Sequence, residues 1–306
     1  MKKEDFYYLS SDGKTQIHAI KWIPDKIVGV IQIAHGVTEY IDRYDCFAKF
    51  MVNHGYLVIG NDHLGHGKSI IENKSKMYIG PIGSFDYLVK DVDKLYNIIK
   101  EEYKDVPVYL MGFSLGSFVC RKYLIDYNPV YEKVFLIGTG VQPGFIINIL
   151  KKIVLNEVKK IGEENTSDFI NNLSFGTYNK QVKNPKTEYD WLTSDEEAIK
   201  EYSNDLNIEK KITGSLFYEL INSIGYTSNI KNILKVSNNY SIILLSGSDD
   251  PVGSKGKGII KLYKILKNNK FNVNMKLYDN CRHDLFHEVL KDEFFNDTLD
   301  YLKKEL

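Results

Sequence analysis

Residues 108–127 constrain this chain more than any other stretch. The apolar run Val108–Met111 leads directly into Gly112, Phe113, Ser114, Leu115 and Gly116, and a helix-like stretch follows from Leu115 to Tyr127. That order reads as strand, sharp turn, helix. Glycines two residues before and after Ser114 let the chain double back where side chains would collide, and the turn lifts the hydroxyl clear of the backbone. Ser114 is therefore the candidate nucleophile. A plain tight turn is the alternative, and the flanking strand and amphipathic helix weigh against it.

The same alternation recurs along the chain. Asp5–Ser10 and Thr15–Ile23 flank a turn at 11–14 and predict an antiparallel hairpin. Val28–Ala34 is a near-continuous apolar run, as expected of a strand buried on both faces, and Leu57–Gly60, Val134–Ile137, Ile242–Leu245 and Asn274–Tyr278 follow in that style. Helices are expected at Tyr44–His54, Phe85–Tyr103, Leu115–Tyr127, Lys257–Asn268 and Leu285–Leu302. Eight strands alternating with helices predict an α/β fold, with a mostly parallel sheet covered on both faces.

One block breaks the rhythm. Between Val141 and Thr213 no convincing strand occurs, and Phe145, Ile146, Ile149, Leu150, Ile153, Val154, Val158 and Ile161 fall at helical spacing. The sheet resumes at Ile242, so residues 141–213 read as a helical cap inserted into a core of residues 1–140 and 214–306. The apolar face of its first helix must pack on the core. Part of it can also line an acyl-chain pocket, and the lysine pairs Lys151–Lys152 and Lys159–Lys160 suit transient contact with a membrane surface. Trp191 and residues 175–178 are further candidates to line a pocket.

Bulk properties narrow the classes of function. Lysine plus arginine balances aspartate plus glutamate at forty each, and no basic stripe with interleaved aromatics occurs, so no nucleic-acid partner is expected. Three scattered cysteines, Cys46, Cys120 and Cys281, fit a reducing compartment better than a disulfide framework. With no apolar leader or spanning run, a cytoplasmic protein is expected. His54, His63 and His66 lack the carboxylate partner and H-E-x-x-H spacing of a catalytic zinc site, and the glycine-rich stretch 253–258 lacks the order of a phosphate loop. No cofactor or metal is expected.

A serine nucleophile needs a base, a group to orient that base, and donors for the oxyanion. In an open α/β sheet these gather at the carboxyl ends of the strands. Two later loops qualify. Residues 246–251, after the run Ile242–Leu245, offer Asp249 and Asp250. Residues 281–284, after the strand ending at Tyr278, offer His283, whereas His287 lies one turn further on and is expected to face away. The order serine, acid, histidine is the one α/β-hydrolases use. The oxyanion donors are expected from the backbone amides of Leu115, at its helix N-terminus, and Val37, in the loop 35–39. His35 is expected to brace that loop rather than to transfer protons.

Several motifs carry a family resemblance. His35-Gly36 through Glu39, Arg43-Tyr44, residues 61–69, Gly112–Gly116, Gly247–Asp250 and Arg282-His283 resemble the monoacylglycerol lipase and lysophospholipase branch of the α/β-hydrolases, grouped with the serine aminopeptidase S33 hydrolases. Residues 190–196 resemble the cap of bacterial members. The resemblance implies a Ser114, His283, Asp250 triad, since its G-x-x-D spacing selects Asp250 over Asp249. It also implies hydrolysis of a small acyl-ester lipid. Thr38 is a departure, because the mammalian monoglyceride lipases carry glycine there. Two other readings compete: an aminopeptidase or amidase capturing a free amine with Glu196, Glu197 and Glu201, and a non-catalytic ligand-binding protein on the same fold.

Overall fold

The computed structural model describes residues 1–237 and 239–304. Strand β1 (Lys2–Leu9) pairs antiparallel with β2 (Gln16–Ile23) around a turn that Asp12 builds, its carboxylate accepting the Lys14 and Thr15 amides at 2.9 and 2.8 Å. β1 begins at Lys2 rather than Asp5. It is an edge strand whose residues alternate between exposed and half-buried, so its charged start costs no burial.

Strands β3 (Gly29–Ala34), β4 (Tyr56–Asn61), β5 (Val108–Phe113), β6 (Lys133–Ile137), β7 (Ser241–Gly247) and β8 (Asn272–Tyr278) complete one sheet of order β1-β2-β4-β3-β5-β6-β7-β8. Only β1–β2 and β2–β4 pair antiparallel. Every residue of β3 through β7 is buried, which is why these strands read as unbroken apolar runs.

Alternate strand residues feed two cores. Helices α1 (Asp45–Val52) and α8 (Lys291–Lys303) cover one face, where Phe47, Phe294 and Phe295 pack on Ile31, Val58 and Met111. Helices α2 (Phe85–Glu102), α3 (Leu115–Tyr127) and α7 (Lys257–Asn268) cover the other, where Leu88, Val119 and Leu262 join Val30, Leu57 and Leu110. The helix expected at Leu285–Leu302 is interrupted. A short turn at Leu285–His287 ends at Glu288, whose backbone is extended, before α8 begins. Glu288 is wholly buried and its carboxylate accepts the Arg282 amide (2.6 Å), the Ser194 amide (2.9 Å) and the Ser194 hydroxyl (2.5 Å), bonds a continuous helix would not allow.

Between β6 and β7 lie α4 (Gly144–Ile161), a series of short turns, α5 (Glu196–Asn204) and α6 (Gly214–Ser228). α6 packs against both α4 and α3. Arg121 of α3 ties the two ends of this block together. Its buried guanidinium donates to Thr139 Oγ1 (3.2 Å), Gly140 O (2.6 Å) and Thr227 O (2.5 Å). Burial pulls its pKa down to about 9, still above neutrality, so it stays charged and feeds three acceptors at once.

Candidate active site

The turn after β5 is as sharp as the glycine spacing requires. Ser114 adopts φ 49° and ψ −116°, a conformation non-glycine residues rarely occupy, and its amide donates to Ile137 O at 3.0 Å. A side chain on Gly112 would meet Gly116 O at 2.6 Å, and one on Gly116 would run into the Ala34 carbonyl. The elbow therefore packs directly against the end of β3, and the loop 35–39 sits beside it.

Three sequence-predicted residues meet at the carboxyl ends of β5, β7 and β8. Ser114 Oγ lies 2.9 Å from His283 Nε2, and His283 Nδ1 lies 3.0 Å from Asp250 Oδ1. With Nδ1–H donated to the carboxylate, Nε2 is left to accept the serine proton. Asp250 is fully buried and is itself aimed by the Val252 amide (2.9 Å) and the Ser246 hydroxyl (3.2 Å), whereas Asp249 is exposed. Behind the imidazole, Gly138 has φ 58°, and a methyl group there would fall 2.8 Å from His283 Cε1. The Phe113 ring closes another side at 5.0 Å between centroids. His287 points elsewhere, bonding Asp284 Oδ2 (2.8 Å) and Arg43 O (3.2 Å).

The two amides expected to face an oxyanion are free. Neither Val37 N–H nor Leu115 N–H has a hydrogen-bond partner among the described residues. Glu39 shapes the first of them. Its Oε1 accepts the Gly36 amide at 2.5 Å and the Tyr44 hydroxyl at 2.7 Å, and its Oε2 lies 3.4 Å from Arg43 Nε. Burial pushes the Glu39 pKa up, reinforced by nearby Asp284 and opposed by Arg43. Asp284 is held low despite its burial, by His287 and Arg43. These residues form one buried network that links the loop 35–39 to the loop carrying His283.

Three further histidines, His35, His63 and His66, brace the floor. His35 donates from Nδ1 to Gly36 O (2.7 Å) and accepts the His63 amide at Nε2 (2.9 Å). His63 and His66 donate to His35 O (3.1 Å) and Leu64 O (3.0 Å). Burial drives His35 well below the ordinary imidazole value, His63 to about 3 and His66 to about 4. Among the described residues no group of three or more His, Cys, Asp and Glu side chains is disposed to hold a metal ion.

This floor predicts acid sensitivity. In the unfolded chain His63 and His66 take up protons as pH falls through about 6.5, while in the folded chain they stay neutral until about 3 and about 4, respectively. Their stabilising effect is thus complete above about pH 6.5 and is lost as pH falls toward those values. Each contributes a slope of about 1.4 kcal/mol per pH unit within that window. Urea unfolding between pH 6 and 4.5 should show a slope that His66→Gln reduces by about that amount, and an unchanged slope would contradict the assignment.

The segment 190–194 closes over the loop that carries His283, a placement that no local sequence pattern signals. Arg282 donates to Asp190 O (2.5 Å) and Thr193 O (2.8 Å), Asp284 N–H to Leu192 O (2.7 Å), and Thr193 Oγ1 to His287 O (2.9 Å). Trp191 then lies 5.6 Å from the His283 ring, with Phe175 stacked on it at 5.5 Å and 10°. Phe175, Trp191, Tyr189 and Tyr202 line a cavity of about 580 Å³ that reaches Thr38 beside the free Val37 amide. Neither this cavity nor the polar one of about 620 Å³ between α4 and α6 is lined by Ser114, Asp250 or His283, but Trp191 joins the first to the His283 ring. Glu196 and Glu197 are exposed and pair with Lys186 and Lys200, and Glu201 is exposed as well.

The strand order, the strained serine elbow and the serine–histidine–aspartate line define an α/β-hydrolase. Residues 25–289 match the family described as serine aminopeptidase, S33, and the chain belongs to that family. Among curated relatives, the monoglyceride lipase homolog of Monkeypox virus is 24% identical over 263 residues, covering 85% of this chain and 83% of that one. Phospholipase YtpA of Bacillus subtilis strain 168 is 23% identical over 278 residues, covering 90% and 95%. A thermostable carboxyl esterase from Bacillus coagulans, solved with glycerol, shares the fold with a TM-score of 0.88 at 23% identity, covering 99% of this chain and 98% of its own.

Proposed function

We propose that this chain is a serine ester hydrolase acting on single-acyl-chain lipids, monoacylglycerols or lysophospholipids, with residues 141–213 as a cap over a core of 1–140 and 214–306. The observation that carries the reading is the bonded line from Ser114 through His283 to Asp250. Ser114 attacks the ester carbonyl as His283 Nε2 takes its proton, and buried Asp250 holds the Nδ1–H tautomer and stabilises the imidazolium. The Val37 and Leu115 amides stabilise the tetrahedral oxyanion, with the N-terminus of α3 adding its dipole. His283 then protonates the leaving alcohol, and water resolves the acyl-enzyme by the same route. Every step uses groups of the chain, the ester and water.

The cavity supports a lipid substrate, with aromatic walls toward Trp191 and lysines Lys180, Lys210 and Lys211 at its polar side. The relatives named as a monoglyceride lipase homolog and a phospholipase point the same way. Delivery from a lipid surface fits α4, which exposes Phe145, Ile149 and Ile153 beside Lys152. No helix among the described residues is long and apolar enough to cross a membrane. The family's aminopeptidase description keeps an amide substrate as the second reading, although Glu196 and Glu197 are engaged by lysines at the surface.

The test compares turnover of monoacylglycerols, a lysophosphatidylcholine, p-nitrophenyl esters of graded length and aminoacyl p-nitroanilides. Ester turnover that rises with chain length, with much slower anilide cleavage, is expected. Faster cleavage of the anilides would establish the amidase reading instead.

A further inference from the structure

The turn that carries the Val37 amide is strained, and a residue from α5 holds it in place. Thr38 has φ 61°, a left-handed conformation in which a β-branched residue is an outlier and glycine is favoured. A residue stays in such a conformation only when its surroundings over-determine it. Thr38 is buried, and its Oγ1 hydrogen-bonds the Tyr202 hydroxyl at 2.9 Å. Tyr202 is fixed in turn, since the Arg43 guanidinium lies over its ring at 5.3 Å. Two residues beyond Thr38, the Tyr40 hydroxyl donates to Asp205 Oδ2 at 2.7 Å, just past the end of α5. The near side of the turn is held by Glu39 on the Gly36 amide.

We infer that Thr38 and Tyr202 form a latch through which the helix α5 sets the direction of the Val37 N–H, so that Tyr202 is a positioning residue for the oxyanion. The inference rests on the ester-hydrolase reading above. Both ends of the turn are pinned, so if Thr38 relaxes from the left-handed region, Gly36 and Val37 must rotate to compensate. That rotation swings the Val37 amide off its target. An oxyanion donor acts mainly in the transition state, so its misdirection lowers kcat more than it raises KM. Glycine at position 38 is at ease in this conformation and needs no latch.

The experiment measures kcat and KM on a medium-chain p-nitrophenyl ester for the full chain and four variants, with Ser114→Ala as the control. Tyr202→Phe keeps the ring on Arg43 and removes only the hydroxyl. It is expected to lower kcat about five- to tenfold with KM nearly constant. Thr38→Val, which removes the same bond from the other side, should lower kcat by a similar factor and add little to Tyr202→Phe in the double variant. Thr38→Gly in the Tyr202→Phe background should recover most of the lost kcat, which a merely structural role for Tyr202 would not allow. Ser114-dependent turnover that Tyr202→Phe and Thr38→Val leave unchanged, or a loss that glycine does not restore, overturns the latch alone. Absence of any Ser114-dependent turnover sinks the ester-hydrolase reading and the latch with it.

Discussion

Alanine in place of Ser114 is expected to cut kcat on p-nitrophenyl esters by about 10⁴- to 10⁶-fold while the chain stays folded. The magnitude follows from the loss of the covalent route. On the proposed mechanism His283 then has nothing to deprotonate, and only binding and the Val37 and Leu115 amides remain to assist water. The fold is expected to survive because the substitution removes one oxygen at a half-buried position and leaves the backbone bond from the Ser114 amide to Ile137 intact. Alanine tolerates φ 49° no worse than serine does, so the strain at the elbow is unchanged. Circular dichroism and kcat measured on the same preparation separate the two effects. Turnover within tenfold of wild type would show that the hydrolysis proceeds elsewhere.

The second large effect is expected at Asp250. Asp250→Asn preserves shape but replaces the acceptor facing His283 Nδ1, and the amide can then favour the wrong imidazole tautomer. A loss of about 10³- to 10⁴-fold in kcat is expected, with little change in KM. Asp249→Asn is the matched control. Asp249 is exposed and its amide bonds Cys281 O, so its carboxylate has no part in the line to Ser114, and its variant should run at the wild-type rate. Equal losses from the two substitutions would contradict the assignment of the acid.

The pair also shows how far a sequence can be read. Asp249 and Asp250 are adjacent and chemically identical, and the turn sequence alone leaves them level. Burial at the end of β7, with Val252 and Ser246 aiming one of them, makes the difference. Strands β3 to β7 were legible because burial on both faces produces unbroken apolar runs. Helix α6 went unread, since it buries Gly214, Leu216, Phe217, Glu219 and Ile221 between two neighbours and shows no single apolar stripe. The break at Glu288 was hidden for another reason. Glutamate suits a helix, and only Ser194, ninety-four positions away, and Arg282 recruit it out of one.

The roles of the motif residues divide in the same way. The resemblance pointed to Glu39 and Arg43 as part of a pattern, but what Glu39 does is visible only in its bond to the Gly36 amide. Asp62, within another motif, is a hub that accepts the Ile41 and Lys68 amides at 2.8 Å each and faces His18 Nδ1 at 2.8 Å. Trp191 and Tyr202 carried no signal for their contacts, because His283 and Thr38 are far away in the chain. Long-range pairing of ordinary residue types leaves no local trace.

The most direct measurement of the central claim is covalent capture of the nucleophile. The native chain is treated with a fluorophosphonate, digested, and the modified peptide is sequenced by mass spectrometry. A single adduct on Ser114 is expected, forming rapidly in the wild type and far more slowly in His283→Ala, since the imidazole must take the proton as the bond forms. An adduct on another residue, no adduct at all, or labelling of Ser114 that is indifferent to His283 would contradict the account.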